Sequence, residues 1–364
     1  AQMLAGSLVY GVYEEGSGAQ VGCARVVTDL AAFAYLCDAA PSPPTSCAAG
    51  TWTAGAVPGL LVGQTTLDDD ERGVYSGVTA LVPLALEEAR TVPAGFHMVN
   101  GYGKFVGATQ LMELAELETP LLLTSTLSAF RAADALVGWV LDRSTTPVTS
   151  LNPVVGEIND SWLSAERRPV TEAHVRAALD GADAGPVAMG NTGGGTGACA
   201  LGFKAGIGSA SRVVALEGGP ATAGVLVQAN MDGDLRVAGR TVLPEELGLE
   251  RAGYTSPRGS CVVVVALDVP CTGRQLERIA ARGVLALGRV GAAYSHGSGD
   301  YGLAFSTRVA EAPVVLSPAD LNLVFTAVLD SVEEAVVDAL LAARTVRAPG
   351  GRTAHALPHA VLLD

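Results

Sequence analysis

The clearest patterning lies beyond Gly259. Cys261-Val262-Val263-Val264-Val265-Ala266-Leu267 is an almost unbroken apolar, β-branched run. A strand covered on both faces reads this way, whereas a strand with one wet face alternates. A helix is predicted next. Thr272 caps it, Gln275 completes a capping box three residues on, and Leu276, Ile279, Ala280, Val284 and Leu287 form one stripe. Tyr301–Phe305 reads as a further strand. Ser317-Pro318 opens a long helix, with Ser as cap and Pro in the first turn, carrying Leu321, Val324, Phe325, Val328, Val332, Val336 and Leu340 inward.

Earlier segments are more broken. Leu8–Tyr13 is a strand candidate, and Val26–Leu36 is an apolar stretch. The segment 39–46 holds three prolines within four residues, which neither a helix nor a central strand accepts, so it is a linker or long turn. Val78–Leu86 is apolar, Gly107–Leu117 has helical spacing, 156–169 is polar, and Glu172–Leu179 is a predicted helix. Arg212–Leu216 and Gly224–Ala229 are strand candidates. No repeat of fixed period is visible. Strands and helices in blocks predict a layered α/β or α+β sandwich.

The chain of 364 residues suits about two domains or layers. Its apolar fraction of 49% and mean hydropathy of +0.35 exclude a disordered chain. Acidic residues outnumber basic ones 37 to 23, and only Lys104 and Lys204 are lysines. That balance argues against a nucleic-acid partner and against a polybasic membrane patch. The apolar runs are too short to span a bilayer, and Ala1–Tyr10 lacks the basic start of an intact signal peptide. Six cysteines without CxxC spacing read as reduced and mostly buried, which fits a cytoplasmic protein, although a local disulfide among Cys23, Cys37 and Cys47 stays open.

Candidate chemistry centres on Gly259-Ser260. Ser260 is the last polar residue before the buried strand, so its hydroxyl would stand at the mouth of a sheet. Cleavage of the 259–260 bond would give Ser260 a free α-amine, and such amines titrate near about 7.7–8.0. That amine could take the proton of its own hydroxyl, the N-terminal-nucleophile arrangement, with no histidine needed. In Ser295-His296-Gly297-Ser298-Gly299-Asp300, Ser298 and Asp300 are two apart and could share one face near the nucleophile; a plain Asp-capped turn is the alternative. The glycine-rich segment 190–197 lacks the Gly-Lys-Ser/Thr ending of a phosphate loop, so its glycines are read instead as letting backbone amides approach a substrate or the cleavage site. No His, Cys or carboxylate cluster calls for a metal, and no cofactor is expected.

These blocks together resemble one family. GNTGGGTGACALGFKAGIGSASR (190–212) is similar to the signature of the DmpA-like L-aminopeptidase/D-amidase and β-peptidyl aminopeptidase family. VPGLLVG (57–63), GVTALVP (77–83), NGYGKFVGATQLMELAELETPLLLT (100–124), PVVGE (153–157), AGVLVQAN (223–230), RGSCVVVVALDVP (258–270), HGSGDYGLAFST (296–307) and HALP (355–358) follow in the family's order. The resemblance runs over residues 56–364. It implies a four-layer αββα sandwich of the DmpA/ornithine acetyltransferase type. It also implies self-cleavage into residues 1–259 and 260–364, with 1–55 as an added extension of no assigned role.

By the same resemblance, Ser260 is the nucleophile, Ser298 and Asp300 the pair beside it, and Asn230 a side-chain donor of the oxyanion hole. Glu157 is the carboxylate that holds the substrate's amine; Gly193 and Gly194 line the substrate, and Tyr102 narrows the pocket where a smaller or polar residue is expected. Cys261, after the cleaved bond, alters packing without replacing the nucleophile. The implied activity is hydrolysis of N-terminal residues from small peptides, amides or esters with a free amine, by a homo-oligomer, a tetramer of αβ units. Two alternatives stand beside it: an amide-forming acyltransferase using the same acyl-enzyme, and an uncleaved, catalytically silent binding or scaffold protein.

Overall fold

All eight residues of the strand Ser260–Leu267 are buried, and their alternation sorts them into two cores. Val262, Val264 and Ala266 point between two sheets, while Cys261, Val263, Val265 and Leu267 point toward helices. This is the physical content of the unbroken valine run: both faces of the strand are covered. The computed structural model describes residues 7–13, 20–27, 35–37, 53–253, 259–310 and 314–362.

Two sheets lie face to face. The larger has six strands in the order Ile207–Leu216, Gly219–Gln228, Ser260–Leu267, Gly299–Ser306, Val92–Gly101, Glu116–Leu117. Ser260–Leu267 runs parallel to Gly299–Ser306 and antiparallel to Gly219–Gln228. The smaller has four strands, Leu60–Asp69, Val74–Pro83, Leu121–Ser125 and Val154–Ile158, the last two parallel to each other. Leu60, Leu81, Leu121, Leu123, Val262, Val264, Leu303 and Phe305 fill the space between the sheets. Helices Gly273–Ala286 and Pro318–Leu341 cover the outer face of the larger sheet, and Ala129–Arg143 and Glu172–Asp180 cover that of the smaller. The arrangement is the four-layer αββα sandwich that the resemblance implies.

The predicted caps are in place. Thr272 Oγ1 accepts from the Gln275 N–H (3.3 Å), and the Gln275 side chain returns a long contact to the Thr272 N–H (3.5 Å). Ser317 Oγ accepts from the Asp320 N–H (3.1 Å) at the head of the long helix. The helix Glu172–Asp180 matches its expected span to one residue, whereas the Gly107–Leu117 helix stops at Leu114 and gives way to the short strand Glu116–Leu117. Arg212–Leu216, Gly224–Ala229 and Tyr301–Phe305 all fall on longer strands; Gly224–Ala229 overruns the end of its strand by Ala229. The polar stretch 156–169 begins inside a fully buried strand, Val154–Ile158.

Leu8–Tyr13 falls on the strand Ser7–Tyr13, which pairs antiparallel with Gln20–Val27, itself paired with Tyr35–Cys37. The proline-rich segment 39–46 and Cys47 lie outside the described residues. Cys199, Cys261 and Cys271 are free thiols, Cys199 half-buried and the other two buried. Among the described residues, no helix is long and apolar enough to cross a membrane.

Candidate active site

Ser260 opens its strand opposite Gly299, one rung before Cys261 faces Asp300. Its side chain is nearly buried, 5% exposed, and Oγ accepts a hydrogen bond from the Gly299 N–H at 3.3 Å. Its own N–H donates to the Asn230 carbonyl at 2.7 Å. Gly259 runs so close to the strand end at Asn230 that a Cβ there would stand 2.7 Å from Met231 Cα and 3.0 Å from the Asp232 nitrogen. Only glycine fits that approach, which is the reason for the Gly-Ser pair.

Asn230 is 4% exposed, and its Oδ1 accepts from the Cys199 N–H at 3.0 Å. Anchoring the oxygen fixes the amide plane and leaves Nδ2 as the donor end of the group. Beside Gly299, Ser298 Oγ donates to Asp300 Oδ1 at 2.7 Å, both residues being buried. Asp300 Oδ2 is buried without a hydrogen-bond partner. Burial, with the neighbouring Asp232 charge acting the same way, lifts the Asp300 carboxyl to about 6 against the opposing Ser298 hydrogen bond.

Asn100 was not singled out in the sequence. It sits on the strand Val92–Gly101 directly across from Asp300. Its Nδ2 reaches the carbonyls of Ser295 (3.0 Å), His296 (3.1 Å) and Ser298 (2.5 Å). One amide thus gathers the loop that delivers Ser298 and Gly299. Nothing in the local pattern distinguishes this asparagine from one in an ordinary turn; only the fold brings residues 100 and 298 together.

Glu157 is reached across two glycines. A Cβ on Gly299 would fall 2.6 Å from Gly103 Cα, and one on Gly103 would fall 2.9 Å from Glu157 Oε1. The order Ser260 Oγ, Gly299, Gly103, Glu157 therefore has glycine backbone between the Ser260 hydroxyl and the carboxylate. Glu157 is 1% exposed; Oε1 accepts from the Lys104 N–H at 2.7 Å and Oε2 from the Thr126 hydroxyl. Among the described residues no cationic side chain pairs with it. A buried carboxylate without a cationic partner can receive an ammonium through charge-assisted hydrogen bonds. Tyr301, stacked with Phe96 and edge-on to Phe105, closes this side; burial, then the Glu157 charge, push its hydroxyl up to about 12, so it stays a donor.

Tyr102 enters the site through its backbone, whose N–H donates to the Ser298 carbonyl at 3.1 Å. Its ring is 60% exposed and stands at the rim, 6.2 Å from the His296 ring and 5.1 Å from Lys104 Nζ. Gly193 and Gly194 are buried in a short 3-10 turn packed against the smaller sheet. The Gly193 N–H donates to Thr66 Oγ1 (2.9 Å), the Gly194 N–H to Thr79 Oγ1 (3.1 Å), and the Gly194 carbonyl accepts from Gln228 Nε2 (2.7 Å). Their amides are thereby spent on holding the sheets together. Cys261 is fully buried on the helix side of its strand, and burial pushes its thiol far above the usual range. Among the described residues, no three His, Cys, Asp or Glu side chains converge as a metal would require.

The Peptidase family S58 model matches residues 55–354 of this chain. The chain belongs to that family. Similar proteins and solved structures agree with the assignment. The chain is 39% identical over 328 residues to the β-peptidyl aminopeptidase BapA of Sphingosinicella microcystinivorans, covering 83% of each protein. The L-aminopeptidase D-Ala-esterase/amidase of Ochrobactrum anthropi superposes with a TM-score of 0.75 at 36% identity, over 85% of this chain and 92% of that one. A Burkholderia sp. β-aminopeptidase superposes equally well, with a TM-score of 0.75 at 35% identity over 86% and 92% of the two chains. The Ochrobactrum protein is described as a variant of the Ntn hydrolase fold, and that is the fold seen here. The S58 chain is accordingly a hydrolase, an aminopeptidase.

Proposed function

We propose that the chain cleaves itself between Gly259 and Ser260 and then works as an N-terminal-serine aminopeptidase. The observation that carries this reading is the position of Ser260 Oγ. It lies within hydrogen-bond reach of the Gly299 N–H, with Asn230 on one side and the Ser298–Asp300 pair on the other. No histidine among the described residues hydrogen-bonds to it, so the base must come from elsewhere. The α-amine released at Ser260 supplies one of suitable pKa.

In this mechanism the substrate's ammonium rests against Glu157 and its carbonyl carbon faces Ser260. Ser260 Oγ attacks as its proton passes to the α-amine. The tetrahedral oxyanion is held by Asn230 Nδ2 and a backbone N–H, and the leaving amine departs with the transferred proton. Water, deprotonated by the same α-amine, then hydrolyses the aminoacyl ester and restores the serine. The relatives named as β-peptidyl aminopeptidases support including N-terminal β-amino acids among the substrates.

Denaturing electrophoresis with mass analysis tests the proposal. A fragment beginning at Ser260 should accompany turnover of β-alanyl or L-aminoacyl anilides, and Ser260→Ala should abolish both. An intact chain without turnover would return the protein to the silent scaffold reading, and turnover retained in Ser260→Ala would remove Ser260 from the mechanism.

A further inference from the structure

A hollow opens next to the turn that holds Glu157. Thr126, whose hydroxyl holds Glu157, is followed by Leu127 in the same short turn, and Leu127 lines a cavity of about 600 Å³. Its other walls include Trp162, Leu163, Arg167, Pro349 and Arg352. The volume falls within the range of small-molecule sites, roughly 300–1,000 Å³.

The lining combines two chemistries. Leu127, half exposed at 51%, lines the cavity with Trp162, Pro349 and the edge of the buried Leu163 as its apolar wall. Two guanidinium groups share the lining, and among the described residues no carboxylate pairs with either. Arg352 donates to the Trp162 carbonyl at 2.7 Å, with its guanidinium carbon 5.9 Å from the Trp162 ring centroid. Arg167 makes no hydrogen bond or ion pair among the described residues. The nearest acid in sequence, Glu166, is already engaged by Arg72 at 2.7 Å. Elsewhere in this acidic chain Arg143, Arg176, Arg251, Arg289 and Arg344 each have a carboxylate partner.

We infer that this cavity binds a small carboxylate with an apolar or aromatic body, its anionic end held by Arg167 and Arg352 and its body laid against Leu127, Trp162 and Pro349. Guanidinium groups match a carboxylate through paired N–H donors, and the apolar wall contributes by removing the ligand's body from water. Two sources present this chemistry. One is a free organic acid. The other is the acidic side chain of an N-terminal residue whose ammonium sits on Glu157, a case that rests on the amine-binding reading above.

Phenylacetate and its neutral isostere phenylacetamide distinguish charge recognition from mere apolar contact. Titration calorimetry on the full chain should give saturable phenylacetate binding at least tenfold tighter than phenylacetamide binding, with a change in Trp162 fluorescence. An Arg167→Gln/Arg352→Gln double variant should lose that preference. Equal affinity for the two ligands, no saturable heat, or an unchanged preference in the double variant overturns the inference. The same titration on Ser260→Ala needs no turnover, so its result stands whether or not the Ser260 mechanism does. The source follows from glutamyl and glutaminyl p-nitroanilides. A tenfold KM advantage for the glutamyl substrate that vanishes in the double variant assigns the cavity to the substrate's side chain. A KM ratio unaffected by the double variant, with phenylacetate binding lost, assigns it to a free acid.

Discussion

Three residues around Ser260 should fail in different ways when altered, because each meets a different stage of the reaction. In the proposed mechanism Glu157 meets a substrate charge present in both ground and transition states. Glu157→Gln removes the ion pair and keeps one acceptor oxygen for the Lys104 N–H, while the Thr126 hydroxyl must turn to accept from the new amide. A hydrogen bond to a charged group contributes about 1.5–3 kcal/mol, so KM should rise by roughly 10- to 150-fold with kcat little changed. In the proposed mechanism Asn230 donates where negative charge develops only in the transition state. Asn230→Ala should therefore lower kcat by about 10²–10³-fold at nearly constant KM. Asn100 touches neither substrate nor nucleophile; it ties three carbonyls of the 295–298 loop to one side chain. Asn100→Ala should lower kcat by about tenfold or more while leaving the Glu157-dependent KM near its original value, since displacement of a positioned group costs rate even when binding survives. Steady-state kinetics on one anilide substrate separates the three signatures. A KM effect for Asn100 matching that of Glu157 would place it in the amine pocket instead.

At the scale of elements, the sheets and helices approach one another at glycines, and these contacts fix where the nucleophile strand can lie. A Cβ on Gly95 would stand 2.0 Å from the Glu277 nitrogen in the helix Gly273–Ala286. Gly95→Ala must push that helix off the sheet, and overpacking of this kind typically costs about 1–3 kcal/mol. Thr272→Ala removes only the cap of the same helix, a loss of about 1 kcal/mol. Denaturant unfolding should therefore rank Gly95→Ala below Thr272→Ala, and the reverse order would mean that the helix yields more easily than its backbone contacts imply. The cap and the stripe of this helix were legible in the sequence because both are local signals. So was the strand Ser260–Leu267, whose two buried faces leave no polar interruption. Other elements carried no such signal. The strand Val154–Ile158 is only five residues long and contains Glu157, a charge that reads as surface until the fold supplies its donors. The helix Ala129–Arg143 starts at Ser128, whose side chain makes no cap, and so lacks a marked beginning. The Ser298–Asp300 pair was visible as spacing, whereas the roles of Asn230 and Glu157 came from family resemblance, and Asn100 depends wholly on a contact across about 200 positions of chain.

For the whole molecule, stacking four layers buries acids as well as valines, and this gives stability a pH dependence of definite sign. Burial, reinforced by the Glu157 charge, raises the Asp160 carboxyl to about 7; burial, reinforced by Asp232, raises Asp300 to about 6. Both values lie above the ordinary carboxylate range, near about 4 in an unfolded chain. The folded state thus binds protons that the unfolded state has already released. The contribution of each neutral acid is fully present below about pH 4 and is lost as pH rises, through about 6 for Asp300 and about 7 for Asp160. The net charge of −14 also disfavours the compact state at neutral pH, so a fall in Tm from pH 5 to pH 8 would not by itself identify either group. Asp160→Asn isolates one of them, because the amide keeps the shape of the neutral acid and cannot ionise. In a Ser260→Ala background, where the proposed cleavage is blocked, the variant and its parent should melt within a degree or two of each other at pH 4. At pH 8 the Asp160→Asn variant should melt several degrees higher than its parent, about 2 °C for each kcal/mol of relief in a chain of this size. A gap between the two melting temperatures that stays constant across that range would show that the folded Asp160 carboxyl titrates like an ordinary carboxylate, its charge stabilised within the fold by water or a neighbouring group.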